Sequence, residues 1–239
     1  MQNLQTQMMS EEKEDLKDTF RGMIQEKSFP CVGAKSAMQR GTLDIILARA
    51  ITSGWNDLVI HEALMRFAWA YKEEPGLFRS FAVLFEGPDD LDEAAFEAAM
   101  WERLQSLSNK DEWLGQTADP RVSSDPNDPH FGLSFGGEAF FVVGLHPHAS
   151  RPARRFRTPA LVFNLHDQFE KLREENRYEQ LRASIIARDV ALAGTPNPML
   201  SRHGESSEAR QYSGRVVGDD WQCPFSRTLA DKVRMEIEL

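Results

Sequence analysis

Two histidines and three arginines lie close together in the middle of the chain. His146 and His148 can each supply a neutral imidazole nitrogen to a metal ion or to a haem iron. Arg151, Arg154 and Arg155 can each present a planar guanidinium to a carboxylate, such as a haem propionate or an amino-acid substrate. The two chemistries side by side predict a binding site, and a solvated surface turn is the alternative for the arginines.

The two histidines are separated by a single proline. On a continuous strand, residues i and i+2 point to the same face. Pro147 disfavours a regular strand here, so we expect the two rings to diverge. One histidine can then be an axial ligand while the other faces solvent, and a pair of turn histidines bonded to the backbone is the alternative.

Two further groups of residues can do chemistry. Glu205 and Glu208 stand in a polar run at 205–212, and a carboxylate is a natural partner for a guanidinium or ammonium group. A charged surface loop is the alternative for this run. Cys31 and Cys223 can provide a thiolate for haem iron, although an isolated cysteine is more often a small buried apolar residue. Their roles stay open.

Apolar periodicity predicts the elements that must position these residues. The apolar run 139–143 ends three residues before His146, and Gly136-Gly137 before it predicts a two-residue hairpin turn. Strands are predicted at 79–86, 131–135, 138–145 and 160–165. Helices are predicted at 34–40, 44–53, 57–72, 89–108, 167–173 and 178–193.

The order of these elements predicts an α+β fold, with a mostly antiparallel sheet flanked by helices in a single domain. We expect residues 1–27 to form an N-terminal helix, partly frayed, residues 28–226 to form the domain, and residues 227–239 to be a C-terminal extension. The run 194–225 has no clear period. Its apolar anchors predict that it packs on the body of the domain: Met199, Leu200, Tyr212 and Trp221.

Composition narrows the class of protein. The chain has 239 residues, 41% of them hydrophobic, and a net charge of -9, which disfavours general nucleic-acid binding. Two cysteines are too few for a disulfide framework, and no apolar stretch approaches the roughly 20 residues of a membrane helix. No nucleotide-binding or nucleophile-elbow motif occurs. We therefore expect a soluble cytoplasmic protein that binds neither nucleic acid nor membrane.

Several motifs, in the same order, resemble the YqcI/YcgG family over about residues 28–226. They are Phe29-Pro30-Cys31, Phe135-Gly136-Gly137-Glu138, His146-Pro147-x-x-Ser150-Arg151-x-x-Arg154-Arg155-Phe156, Phe163-Asn164-x-His166-x-Gln168-Phe169, Asn197-Pro198-Met199-Leu200, the run 205–214 and Trp221-x-Cys223-Pro224. Within that family the chain is most similar to a branch of haem-dependent N-hydroxylases of guanitoxin biosynthesis.

The resemblance implies a haem-binding domain with haem b, and a guanidine-bearing amino acid, arginine or a cyclic relative, hydroxylated on a guanidine nitrogen with oxygen or peroxide. It implies His146 as the axial ligand, with His148 as the rival. It implies that Ser150, Arg151, Arg154 and Arg155 surround the haem and its propionates, and that Glu205 and Glu208 recognise the substrate. The sequence has no flavin or nicotinamide motif, so we expect a separate electron donor or direct use of peroxide, and a homodimer if the chain self-associates.

Two other functions compete with this hypothesis. A non-catalytic haem-binding protein that senses gas or redox state would carry haem, but no guanidine compound would perturb its spectrum. A non-haem iron enzyme would use His146, His148 or His203 with carboxylates, and would show metal without a Soret band.

Overall fold

The computed structural model of the protein describes residues 2–201 and 204–226, so His203 and the predicted extension 227–239 lie outside the described residues. Its helices are α1 (Gln2–Gln25), α2 (Val32–Gln39), α3 (Asp57–Glu73), α4 (Glu93–Trp113), α5 (His166–Glu174), α6 (Tyr178–Ala193) and α7 (Ala209–Tyr212). Its strands are β1 (Leu43–Ala50), β2 (Ser80–Gly87), β3 (Leu133–Phe135), β4 (Glu138–Leu145) and β5 (Ala160–Leu165).

The five strands form one sheet in the order β1-β2-β5-β4-β3. Only the β1–β2 pair is parallel, and the other three pairs are antiparallel. The predicted α+β fold with a mostly antiparallel sheet is therefore confirmed. The predicted hairpin is also confirmed, because Gly136 and Gly137 join β3 to β4 with φ values of 58° and 78°. Positive φ at both central residues is what a type I′ turn requires.

The helix predicted at 44–53 is wrong, because this segment is strand β1, paired in parallel with β2. An apolar run this short does not distinguish a helix from a strand by its period. Ile45 and Leu47 pack on one face of the sheet, whereas Ile46 and Ala48 pack on the other. The residues 43–50 therefore form a strand because they pair with β2, and the local sequence alone does not encode this pairing.

The predicted helix at 57–72 is α3, which buries Leu64, Phe67, Ala68 and Tyr71, whereas Leu58 near its start is 71% exposed. Gly54 begins a short 3-10 turn ahead of this helix. The predicted N-terminal helix is α1, whereas the fraying expected at its start stays a prediction.

The sheet separates two apolar cores. On one face Phe140 and Phe163 join the core that includes α3 and α4, and on the other face Leu145 and Val162 pack with Phe20 of α1. This division follows from the alternation of side chains along each strand. Consecutive side chains near the end of β4 therefore point into opposite cores.

The run 194–226 packs on the body of the domain, as its anchors predicted. Tyr212 is fully buried, its ring stacks on Trp101 at 5.7 Å, and its hydroxyl donates to the Phe140 carbonyl at 3.2 Å. β3 pairs with β4 only as far as Phe140, which leaves the rest of that edge of β4 without a strand partner. Helix α7 contacts β4. Leu200 differs from the expectation, since it stays 41% exposed. Among the described helices, none combines the length and apolar character needed to cross a bilayer.

Candidate functional site

His146 lies directly after β4 and is almost completely buried, at 1% exposure. Its ring stacks on Phe96 of α4, with 4.3 Å between ring centroids and 17° between planes. No described residue makes a hydrogen bond to its buried Nδ1. Burial lowers the pKa of His146, which favours the neutral imidazole. His146 is thus a buried imidazole whose Nδ1 makes no hydrogen bond to a described residue.

Three polar residues of the turn, His148, Ser150 and Arg155, face outward. His148 and Ser150 are exposed, so the two histidine rings diverge. The Ser150 amide donates to Glu93 at 2.9 Å. Arg155 is exposed and donates to the carbonyls of Ala149 and Ser150, within its own turn. These contacts fix the shape of the turn.

Arg154 is a partly buried cation that joins two distant parts of the chain. Its Nη1 donates to the carbonyls of Gly144 and Tyr212, each at 3.0 Å, and its Nη2 donates to the Gln211 carbonyl at 2.9 Å. Burial lowers its pKa to about 10, so the guanidinium remains charged at neutral pH. The surface-turn alternative therefore does not hold for Arg154.

Arg151 is bound to α6 and to the segment that follows it. Its Nε donates to Asp189 at 3.0 Å, its Nη2 also contacts Asp189, and Nη2 donates to the Thr195 carbonyl at 2.8 Å. The side chains of both ion-pair partners are about 10% exposed. Together, Arg151 and Arg154 hold the run 194–226 against the end of the sheet.

A cavity of about 190 Å³ opens beside these two arginines, on the face of the sheet that α1 covers. We call it the Cys31 cavity. Most of its wall is apolar, from Phe20, Phe29, Leu145 and Val162 among others. Residues of separate motifs also line it, namely Pro30, Cys31, Arg151, Arg154, Asn164 and Asn197. Motifs far apart in the sequence therefore meet at one cavity.

The thiol of Cys31 is positioned by the start of α2. Its Sγ accepts a hydrogen bond from the Ala34 amide at 3.4 Å, as the N-cap of the helix. Burial raises the pKa of Cys31, whereas nearby Arg154 acts to lower it. Cys223 does not line this cavity, and burial raises its pKa to about 12. Both residues are free thiols.

A second cavity, of about 220 Å³, lies between α5, α6 and the run 194–226. We call it the His166 cavity. Ile185 and Leu200 line both cavities, so the two are neighbours. Within it, His166 Nε2 lies 2.8 Å from Glu208 Oε2, and the two side chains are only 8% and 12% exposed. Arg182 also lines this cavity.

The two predicted acidic residues are thus separated. Glu208 lines the His166 cavity, whereas Glu205 is exposed and lines neither cavity. Sequence reasoning assigned neither His166 nor Arg182 to the site. The position of His166 between a predicted strand and a predicted helix, inside a motif of the family resemblance, was the signal available for it.

The sheet separates His146 from the Cys31 cavity. Leu145 lines that cavity, and the next residue, His146, stacks on Phe96 in the core of the opposite face. Across the described ranges, no group of three or more histidine, cysteine, aspartate or glutamate side chains is arranged to hold a metal ion. The predicted imidazole ligand and the Cys31 cavity therefore occupy different faces.

Comparison with known proteins gives one match. The model of the YqcI/YcgG family matches residues 20–226. This match begins within α1 and includes the whole sheet, both cavities and the run 194–226. No curated protein and no solved structure matches the chain.

Proposed function

This chain belongs to the YqcI/YcgG family, and from that membership we propose that it is a haem-dependent monooxygenase acting on a guanidine nitrogen of arginine or an arginine-like amino acid. The observation that carries the proposal is the convergence of separate motifs on two neighbouring cavities. One cavity is largely apolar and bordered by arginines, and the other contains a buried carboxylate.

Two groups of residues would be able to hold a haem. Beside α4, His146 would offer iron its buried Nδ1, to which no described residue makes a hydrogen bond, although this ring lines neither cavity. On the opposite face, the Cys31 cavity would offer apolar walls for the macrocycle, a thiol, and the positive charge of Arg151 and Arg154 at its border. These two guanidinium groups are bonded to Asp189 and to backbone carbonyls, so they would act on propionates through their charge. Each cavity is smaller than the roughly 300–1,000 Å³ of most ligand pockets, but the two together reach this range.

Bound haem would supply the activation of oxygen or peroxide. The chain itself would bind and orient the substrate and exclude water from it. Glu208 is the candidate acceptor for the guanidinium, at the wall of the His166 cavity. In the overall reaction an N–H becomes N–OH with one atom of O2, and the other atom leaves as water with two electrons and two protons from a separate donor. With peroxide, water is the co-product and no donor is needed.

The cytoplasm is the compartment that suits this reaction. Cys31 and Cys223 are free thiols, as expected where the environment is reducing. If the chain self-associates, we propose that it forms a homodimer.

An absorption spectrum tests the proposal. We expect the protein, purified after growth with a haem precursor, to show an intense Soret band, and L-arginine or a cyclic relative to shift the spin state. A Soret band that no guanidine compound perturbs would favour a haem-binding sensor instead. Bound iron without Soret absorption would favour a non-haem iron enzyme.

Three variants separate the two placements of the haem. The resemblance implies His146, so His146→Ala is expected to lose the Soret band, and added imidazole should restore it. His148→Ala is the matched control and should keep the band, because its ring faces solvent. Loss of the band in Cys31→Ala but not in His146→Ala would instead assign the haem to the Cys31 cavity.

A further inference from the structure

The acid–base pair in the His166 cavity is organised for recognition. His166 begins α5 and Glu208 lies directly before α7, so two separate elements bring them together. His166 Nε2 lies 2.8 Å from Glu208 Oε2, within ion-pair distance when the ring is protonated. The carboxylate therefore lies at the cavity wall against a nearly buried imidazole.

Arg182 of α6 supplies a positive group to the same cavity. Its neighbour Arg173 is occupied, because it pairs with Glu170 and stacks on the Tyr178 ring at 4.5 Å. In the described part of the chain, Arg182 makes no hydrogen bond or ion pair. A half-buried guanidinium beside apolar surface gains most from a carboxylate that matches its planar fork.

The rest of the wall is mainly apolar and suits a short aliphatic chain. It includes Phe141, Phe169, Leu181, Ile185 and Ile186. A volume of about 220 Å³ lies below the roughly 300 Å³ at which pockets for drug-sized ligands begin, as expected for a single amino acid. The cavity thus combines a cation, an anion and an apolar middle.

We propose that the His166 cavity binds a free amino acid with a cationic side chain, its carboxylate on Arg182 and its cationic end on Glu208. His166 is a positioning residue, which acts by holding Glu208. The inference rests on the proposed function, since it identifies the cavity in which the substrate of that reaction would be recognised. It makes Arg182, rather than Arg151 or Arg154, the group that selects for a carboxylate, because those two arginines are bound to other parts of the chain.

Calorimetric titration of the purified protein, with and without bound haem, tests this assignment. Three probes isolate the two charges: L-arginine, agmatine, which lacks the carboxylate, and citrulline, which replaces the guanidinium by a neutral group. The unaltered protein is expected to bind L-arginine at least roughly tenfold more tightly than either of the others, since each lacks one charge-assisted contact.

The variants separate the two ends of the ligand. Arg182→Gln should abolish the preference for L-arginine over agmatine, and Glu208→Gln should abolish the preference over citrulline. Arg177→Gln is the matched control, because Arg177 pairs with Glu175 at the surface and lines neither cavity. It should keep both preferences. His166→Ala should weaken the preference over citrulline, and His166→Gln, which retains an N–H donor, should partly restore it.

Two outcomes would overturn the inference. One is that neither form of the protein binds L-arginine. The other is that Arg182→Gln and Glu208→Gln, folded by circular dichroism, keep both preferences. Failure of the proposed function is a different result, because a protein with no Soret band could still show the two preferences. Conversely, an arginine-induced spin-state shift that survives in both variants would leave the function standing and remove this cavity from it.

Discussion

Arg154 connects three backbone carbonyls that belong to distant parts of the sequence. Gly144 is in β4, whereas Gln211 and Tyr212 are in α7. A guanidinium can serve all three at once because its donors spread in a plane, and an ammonium group cannot reproduce that geometry. The role of Arg154 in this structure is therefore to join the sheet to the last helix.

Arg154→Lys is expected to lower the free energy of unfolding by about 2–4 kcal/mol, because buried carbonyls lose their donors. Urea denaturation at pH 7 measures this change. Arg155→Lys is the matched control and should cost less than about 1 kcal/mol, because Arg155 is exposed and binds only its own turn. Equal losses in the two variants would contradict the connecting role of Arg154.

The residue types alone indicated that chemistry would occur near His146, but not where each side chain would point. His146 and Leu145 are adjacent in sequence and lie on opposite faces of the sheet. Predicting this requires the register of β4 and the identity of the elements on each face. Arg182 gave no signal because a single arginine on a helix is ordinary, and its place in the cavity depends on how α6 packs.

At the scale of elements, a network around Arg121 ties the loop after α4 to β4 and α5. Arg121 donates to Asp119 in the loop, to Glu138 of β4 and to Asp167 of α5, the last two at 2.9 and 2.8 Å. Burial acts to raise the pKa of Asp119, but the hydrogen bonds and charge of Arg121 outweigh it and hold that pKa below its ordinary value. The network thus stabilises the folded state only while the carboxylates are ionised.

Arg121→Gln should lower the free energy of unfolding by about 1–2 kcal/mol at pH 7, a modest value because the Arg121 side chain is 48% exposed. The contribution of Asp119 is fully present above its unfolded pKa of about 3.9 and is lost as pH falls through the lower folded pKa. The difference in the free energy of unfolding between Arg121→Gln and the unaltered protein should therefore become smaller below about pH 4.

Denaturation curves at pH 7, 4 and 3 measure this narrowing. Arg66→Gln is the control, because its pair with Glu62 is exposed on both sides and should contribute little at any pH. A gap that stays constant down to pH 3 would show that Arg121 stabilises the loop by packing instead of by charge.

Most elements were predictable because their signals are local. β4 and β5 follow from apolar runs, and the hairpin follows from Gly136-Gly137. β1 was not predictable, because its short apolar run is compatible with either structure and only pairing with β2 decides between them. Local sequence thus predicts a helix or strand where its apolar run is long or where a turn residue marks its end.

At the scale of the whole molecule, the run 194–226 contributes buried side chains to the core and does not only cover its surface. Trp101 of α4 is surrounded by three aromatic rings from this run: Tyr212, Trp221 and Phe225, at 5.7, 6.5 and 6.1 Å. Phe225 is only 4% exposed. The aromatic residues of the run predicted that it would be ordered, but not that it would reach α4.

Phe225→Ala is expected to lower the free energy of unfolding by about 3–5 kcal/mol, as for other buried aromatic residues. Guanidinium denaturation, followed by the combined fluorescence of the five tryptophans, measures the change. Val216→Ala, in the same run but 56% exposed, is the control and should change stability by less than about 0.5 kcal/mol. A small effect of Phe225→Ala would mean that the end of the run contributes little to the fold.

Both cavities draw part of their walls from the run 194–226, which Arg151 and Arg154 hold in place. This has a consequence for biosynthesis. A ribosome that has made the whole sheet has not yet released the segment that closes the cavities. Neither cavity can therefore bind a ligand in its final form until the residues up to Gln211 have emerged, and a chain truncated before residue 197 would lack part of the wall of both cavities.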